Sequence, residues 1–469
     1  PTRPTARARA MLIATDGSVT NMYDVSDSDF TVKGVITESP TNDQVYTVGS
    51  NLVNAIQWTS AGIGDKASVF YSSSGSDNWI KIIDNTFNDE VYPGLNQRDW
   101  TRTMTKDLDP SENARLRVDA IGSFGNFTNY TPLFVARGIK VSKPVSNEVF
   151  GIGDSESINW LESGIDATAV AQFFLSLDGG ATYDVNPLFP WDTQVGVFTG
   201  ANWTVASDTD PTVNAMLKVV ITNSSAPADV NYEVESKPFT LRGLKFQTPA
   251  GGANWELGTT RQVTFLSAGA GVFADIQYAY NGVDFDTVDL VADDILIYDG
   301  LNTNDWGIEF ARTPSTNAKL RVISGSLTAD SEAFTVGGVL VTQPQGTDIW
   351  AAGETNRIEW ISVGTDGTNT IEVLVSNVPV QTITGVTGTY YDWPVSSNAV
   401  SADVAIRVTD TGGYSGESPQ FEVVSEPLIK IISPAPGDFV KVSDVYKIQW
   451  SQGGSMPPTF QVVYSTNDF

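Results

Sequence analysis

Residues 344–364 read PQGTDIWAAGETNRIEWISVG, and the spacing of proline, aromatic and glycine residues in this stretch recurs along the chain. Pro344 is followed by Trp350, Gly353, Trp360 and Gly364. The same frame is met at Pro249, Trp255, Gly258, Phe265 and Gly269, and at Pro144, Phe150, Gly153, Trp160 and Gly164. The earliest copy is Pro40, Tyr46, Gly49, Trp58 and Gly62, in which proline and tryptophan stand slightly further apart. A weaker last copy is Pro434, Val440, Trp450 and Gly454, with Ser443 in place of the first glycine. Self-similarity at a fixed period outranks other sequence signals, because each period is one structural module that buries its own apolar face.

Two further motifs keep the same period. Ala6-Arg-Ala-Arg-Ala-Met-Leu-Ile13 matches Asn113-Ala-Arg-Leu-Arg-Val118, Asn214-Ala-Met-Leu-Lys-Val219 and Asn317-Ala-Lys-Leu-Arg-Val322. Phe30-Thr-Val-Lys-Gly34 matches Phe134-Val-Ala-Arg-Gly138, Phe239-Thr-Leu-Arg-Gly243 and Phe334-Thr-Val-Gly-Gly338. The second motif closes one repeat and its glycine opens the next. The expected division is therefore 1–33 as the C-terminal part of a repeat, full repeats at 34–137, 138–242, 243–337 and 338–426, and 427–469 as the N-terminal part of another.

Within a repeat, short runs follow the two-residue period of a strand. Arg357-Ile-Glu-Trp-Ile361 puts Ile358 and Trp360 on one face. Val339-Leu-Val-Thr-Gln343, Ile371-Glu-Val-Leu-Val375, Val404-Ala-Ile-Arg-Val408 and Phe421-Glu-Val-Val424 are further strands, separated by clusters of Gly, Asn, Asp, Ser and Pro. No window carries a sustained helical period. Six or seven short strands in roughly 90–105 residues predict an all-β fold, a tandem array of antiparallel immunoglobulin-like sandwiches. Trp58, Trp160, Phe265, Trp360 and Trp450 form one aromatic column and are the expected core residues. Trp100, Trp203, Trp306 and Trp393 form a second. Large rings at fixed positions fill the space between two sheets. The repeated glycines mark turns with positive φ or bulges, or places where rings pack on bare backbone. A ten-residue strand spans about 33 Å, so five modules joined without linkers predict a rod on the order of 150–200 Å.

Composition narrows the function classes. The chain has 469 residues, 41% of them hydrophobic, and 12 Trp, enough for several cores. No run of eighteen apolar residues is present, so no membrane-spanning helix is expected, and no signal peptide is visible. Met11 lies inside a repeat motif and is not read as a start. Cys and His are absent, which removes disulfides, the commonest general base and the commonest transition-metal ligand. The net charge of −28 argues against nucleic acid and anionic lipid as partners.

The frame Pro344, Trp350-Ala-Ala-Gly353, Ile358-Glu-Trp360 resembles the Ig-like domain of the fungal cell-wall Ser/Thr-rich GPI-anchored family. More broadly, the chain is similar to tandem immunoglobulin-like or fibronectin-III-like repeats of large extracellular proteins. The resemblance covers nearly the whole chain and implies the fold and an extracellular or cell-surface location. It does not imply one function, because this architecture hosts many. The Cys–Trp–Cys pattern of antibody domains is missing.

Candidate chemistry is sparse, and no catalytic residue is expected. Asp107, Asp109 and Glu112, and Asp208 and Asp210, are loop carboxylates before the same strand in two repeats. Hard oxygen ligands of this kind suit calcium, the one cofactor the sequence suggests. Asp and Pro are equally ordinary turn formers, and the third and fourth repeats lack these carboxylates. Ser176-Leu-Asp-Gly-Gly-Ala-Thr-Tyr183 fits the Asp-box pattern and reads as a hairpin turn. Asn126, Asn129, Asn202 and Asn223 open N-glycosylation patterns.

Two functions from different classes follow. One is a structural rod in an extracellular layer, fibre, sheath or adhesin stalk. The other is a set of glycan- or cell-binding modules of an adhesin or extracellular enzyme. Partners are then neighbouring copies or further repeats of the same chain, or surface glycans. Only Trp79 and Trp191 fall outside the repeated columns as candidate glycan contacts. Residues 1–33 and 427–469 each supply part of a sandwich. This predicts either a longer repeat polypeptide or complementation between neighbouring subunits.

Overall fold

The computed structural model describes residues 3–14, 22–42, 44–48, 54–63, 66–83, 94–98, 108–122, 125–165, 167–189, 193–194, 199–222, 232–285, 290–364, 367–426, 428–453 and 459–466. The chain divides into two compact units, Pro1–Arg242 and Gly243–Phe469. Both are almost entirely antiparallel β-structure. Among the described residues, the only helical element is the 3-10 turn Ser397–Ala399, and no helix is long and apolar enough to cross a membrane.

The sandwich of residues 339–423 shows the plan. Thr355–Val363 pairs with Phe334–Gln343 on one side and Tyr390–Pro394 on the other. The opposing sheet runs Val378–Thr387, Thr368–Val375, Ser401–Asp410, Phe421–Val424 and Ile349–Ala351. The last pairing is parallel; the others are antiparallel. Residues alternate along each strand, so each sheet turns one apolar face inward. Val341, Ile358, Trp360 and Trp393 meet Ile371, Val373, Ile406 and Phe421 in a single core. This is the two-sheet immunoglobulin-like arrangement.

Three other cores repeat it, drawn from residues 35–136, 139–241 and 255–336. Trp58, Trp160, Phe265 and Trp360 sit in the four cores at 1%, 1%, 0% and 2% exposure. Trp203, Trp306 and Trp393 are also buried, and Trp100 lies outside the described residues. Trp450 is 41% exposed and stacks at an angle on Phe460, with centroids 5.9 Å apart.

Turn geometry accounts for the repeated small residues. Gly353 and Gly364 have φ of +88° and +72°, a region that disfavours a Cβ. In the copy without the first glycine, Ser443 holds φ at +73°. The prolines that open the frames, Pro40, Pro144, Pro249, Pro344 and Pro434, all follow cis peptide bonds.

One device recurs that the sequence reading missed. Each sandwich interrupts its last strand with a buried hydroxyl residue three places before a core phenylalanine. These pairs are Thr131 and Phe134, Ser236 and Phe239, Ser331 and Phe334, and Ser418 and Phe421. The four hydroxyls accept from the backbone N–H of Leu116, Leu217, Leu320 and Ile406, each at 2.9 Å. The N–H groups of the same four residues donate back to the carbonyls of those partners. The break in the ladder therefore leaves no buried amide at this point unpaired.

Candidate functional site

Chemistry in a sandwich lies on its outward faces and loops. The central strand of the first sandwich, Ser111–Gly122, alternates buried Leu116, Val118 and Ala120 with outward Arg115, Arg117 and Asp119. The equivalent strands put Lys218, Arg321 and Arg407 at the outward place of Arg117. This cation column stands in the repeated motifs quoted above, so its signal was present in the sequence.

Register decides what each cation faces. Lys218 lies opposite Glu235, Arg321 opposite Asp330 and Arg407 opposite Glu417. Arg321 makes a two-pronged ion pair with Asp330 at 2.6 and 2.9 Å. Arg407 is held by Glu372 at 3.3 Å and Glu417 at 3.0 Å. Glu235 accepts from the Tyr183 hydroxyl at 3.0 Å, and Lys218 lies 4.5 Å from the Tyr183 ring centre. In the first sandwich the opposite residue is Tyr130.

The candidate calcium ligands are placed as follows. Asp107 lies outside the described residues. Asp109 meets the Lys140 ammonium at 2.8 Å, and its backbone carbonyl accepts from the Tyr71 hydroxyl at 2.6 Å. Burial, with the Asp109 charge added, pushes the Tyr71 phenol above its usual range. Glu112 is exposed, and after burial its charge is the next cause raising the Glu162 carboxyl. Asp208 is exposed on a turn and Asp210 half-buried just beyond it. The structure thus groups Asp109 with a lysine and leaves Asp208 and Asp210 on a separate loop.

A carboxylate cluster that sequence reasoning missed joins Asp275, Asp293 and Asp294, with oxygens within 4.8 Å of one another. Strand pairing brings Asp275 to the other two, which sequence distance hides. Burial first, then the charges of Asp275 and Asp294, raises the Asp293 carboxyl.

The Asp-box is a turn held by its own side chains. The Asp178 carboxylate accepts from the Thr182 N–H at 2.9 Å, the Thr182 hydroxyl at 2.6 Å and the Ser176 hydroxyl at 2.7 Å. These bonds, those from Thr182 first, hold its acid at about 2. The chain then returns along its own strand, with Asp184 N–H on Leu175 O at 2.8 Å and Leu188 N–H on Phe173 O at 2.7 Å. The Asn129 side-chain oxygen accepts from the N–H and hydroxyl of Thr37 at 3.1 and 2.9 Å. Asn126 and Asn202 are exposed, while Asn223 and Trp191 lie outside the described residues.

No family model matches the chain, and no curated protein matches it. Its structural neighbours include tandem immunoglobulin domains and fibronectin-III-like modules. The eight N-terminal Ig domains of Down Syndrome Cell Adhesion Molecule (DSCAM) isoform 1.30.30 align at 13% identity and a TM-score of 0.22, over 94% of this chain and 63% of that one. Immunoglobulin domains 1–5 of Sidekick-1 align at 10% identity and a TM-score of 0.17, over 91% and 97%. Fibronectin(III)-like modules of Clostridium thermocellum CbhA align at 16% identity and a TM-score of 0.15, over 39% and 94%. The strand pairing described above, and not these scores, fixes the fold.

Proposed function

We propose that the chain is a non-catalytic scaffold of an extracellular layer, fibre, sheath or adhesin stalk, in which the repeats form a rod. The observation that supports this most is the passage from one sandwich to the next. In the strand Phe134–Lys143, Phe134 and Ala136 pair with Ser111–Gly122 of the first sandwich, and Gly138–Lys143 pair with Ser155–Ser163 of the second. Phe334–Gln343 is shared in the same way between its two neighbours. A shared strand contains no linker, so hinge freedom is small. Side chains reinforce such junctions: Lys140 on Asp109 at 2.8 Å, and the Tyr414 hydroxyl on Glu256 at 3.4 Å.

On this reading the partners are further repeats or neighbouring copies. Electron microscopy of the native surface material, with the chain marked by antibody, is expected to show it in filaments, sheets or stalks. Label confined to dispersed, unattached particles contradicts the proposal.

Calcium binding by Asp107, Asp109, Glu112, Asp208 and Asp210 is a separate proposal, supported by the grouping of these carboxylates on loops before the same strand in two repeats. If these are ligands, binding to the folded state stabilises it. The melting temperature then rises in millimolar calcium and falls with chelator. A melting curve indifferent to both ends that reading.

A further inference from the structure

Two portions of the chain leave bare a face that the four complete sandwiches bury. The strands Leu428–Ser433 and Gln449–Gly453 repeat the first sheet of the fourth sandwich pair by pair, with Ile431 opposite Trp450 as Val341 is opposite Trp360. The second sheet covers Val341 and Trp360, at 4% and 2% exposure, whereas Ile431 is 64% exposed. Ile429, Ile448, Phe460 and Val462 join Ile431 and Trp450 in one apolar groove.

Residues 5–32 repeat the sheet that does this covering. Thr5 pairs with Val32 and Ala8 with Phe30 across a bulge, as Ser401 pairs with Val423 and Val404 with Phe421. The Thr5 hydroxyl accepts from the Arg7 N–H at 3.1 Å, as the Ser401 hydroxyl accepts from Asp403. Ser26 accepts from the Ala10 N–H at 3.2 Å and donates back to the Ala10 carbonyl at 2.9 Å, the device that joins Ser418 to Ile406. In this register Leu12 takes the place of Val408 and Phe30 that of Phe421. Val408 is fully buried, while Leu12 is 77% exposed and Phe30 is exposed too.

We infer that a second copy of the chain closes the sandwich, with residues 5–32 of one copy lying over the groove of residues 428–463 in the next. Each face has the sheet geometry that the other meets in the complete cores, and burying both removes apolar surface from water. Phe460–Tyr464 continues the groove and alternates apolar residues as Ile371–Val375 does. It can therefore pair beside the partner copy's strand, as Thr368–Val375 pairs with Ser401–Asp410. Among the described residues of the two portions, only the outer strands Val378–Thr387 and Tyr390–Pro394 have no counterpart. The centre of the sandwich is thus complete and its edges stay open. The two surfaces differ, so the contact is head-to-tail and each added copy brings a fresh pair. The inference rests on the scaffold reading and names the contact that joins its copies.

The test is sedimentation of the full chain over a range of concentrations, at raised salt to screen repulsion between copies of net charge −28. Species that grow with concentration are expected. Leu12→Asp and Ile431→Asp each put a carboxylate into the contact, and each should weaken association at least about tenfold. Both side chains are exposed in the single chain, so the melting curve of each monomer should not change. Mixing the two variants leaves one intact pair of surfaces, and one-to-one complexes with nothing larger are expected. A chain that stays monomeric at every concentration overturns the inference, as does association that either substitution leaves intact. A mixture that forms no complex overturns it too. Any of these results beside antibody-labelled filaments strikes this contact alone, whereas label confined to dispersed particles strikes the scaffold reading.

Discussion

Replacing Trp360 with alanine is expected to destabilise the fourth sandwich by about 3–5 kcal/mol, the cost of truncating a large aromatic residue in a packed core. The side chain is 2% exposed and belongs to a core that both sheets build. Its indole N–H has no hydrogen-bond partner. The cost therefore comes from lost packing and cavity, with no polar contribution to lose. Trp360→Phe should accordingly cost well under half as much. Phe265, fully buried at the equivalent place of the third sandwich, shows that a phenyl ring can be accommodated there. Sandwiches in an array lean mainly on their own cores, so neighbouring sandwiches should keep their stability. Hydrogen exchange read segment by segment checks this. Unchanged protection across 338–426 would show that Trp360 does not hold that core.

The second large effect concerns the buried hydroxyls. Ser331→Ala removes the acceptor of the Leu320 N–H at a residue only 3% exposed. An unpaired buried amide costs about 1–3 kcal/mol. Ser331→Thr should be nearly neutral, because Thr131 performs the same role in the first sandwich at the same 2.9 Å. Denaturant unfolding of the two variants separates the outcomes. Equal midpoints for Ala and Thr would contradict the role assigned to the hydroxyl.

The fold was legible because its signals are local and repeated. Alternation in Arg357-Ile-Glu-Trp-Ile361 gives the strand and its inward face directly. The frame glycines mark positive φ, as Gly353 and Gly364 bear out. The hydroxyl three residues before each phenylalanine was equally repeated, but a lone Ser or Thr between strands reads as a turn former. Its buried partner, a residue on the preceding strand, emerges only from the pairing register.

The outward faces were less legible for the same reason. Arg117, Lys218, Arg321 and Arg407 occupy one place in a repeated motif. Whether such a cation meets a carboxylate or an aromatic ring depends on the strand opposite. Trp79 could be singled out as lying off the core columns, yet nothing local ties it to Tyr130 and Arg117, its neighbours in the fold. The carboxylates before the central strand look like cation ligands in sequence. Lys140, which takes Asp109, comes from the strand leading into the next sandwich.

The central proposal, that the sandwiches form a rod, is tested most directly by small-angle X-ray scattering of the monomeric chain. A rod of the expected length has a radius of gyration of about 45 Å or more. A compact globule of the same length has about 23 Å. A value near 45 Å, with a maximum dimension on the order of 150–200 Å, is predicted. A value near 23 Å would mean that the sandwiches fold back on one another, and would contradict the account.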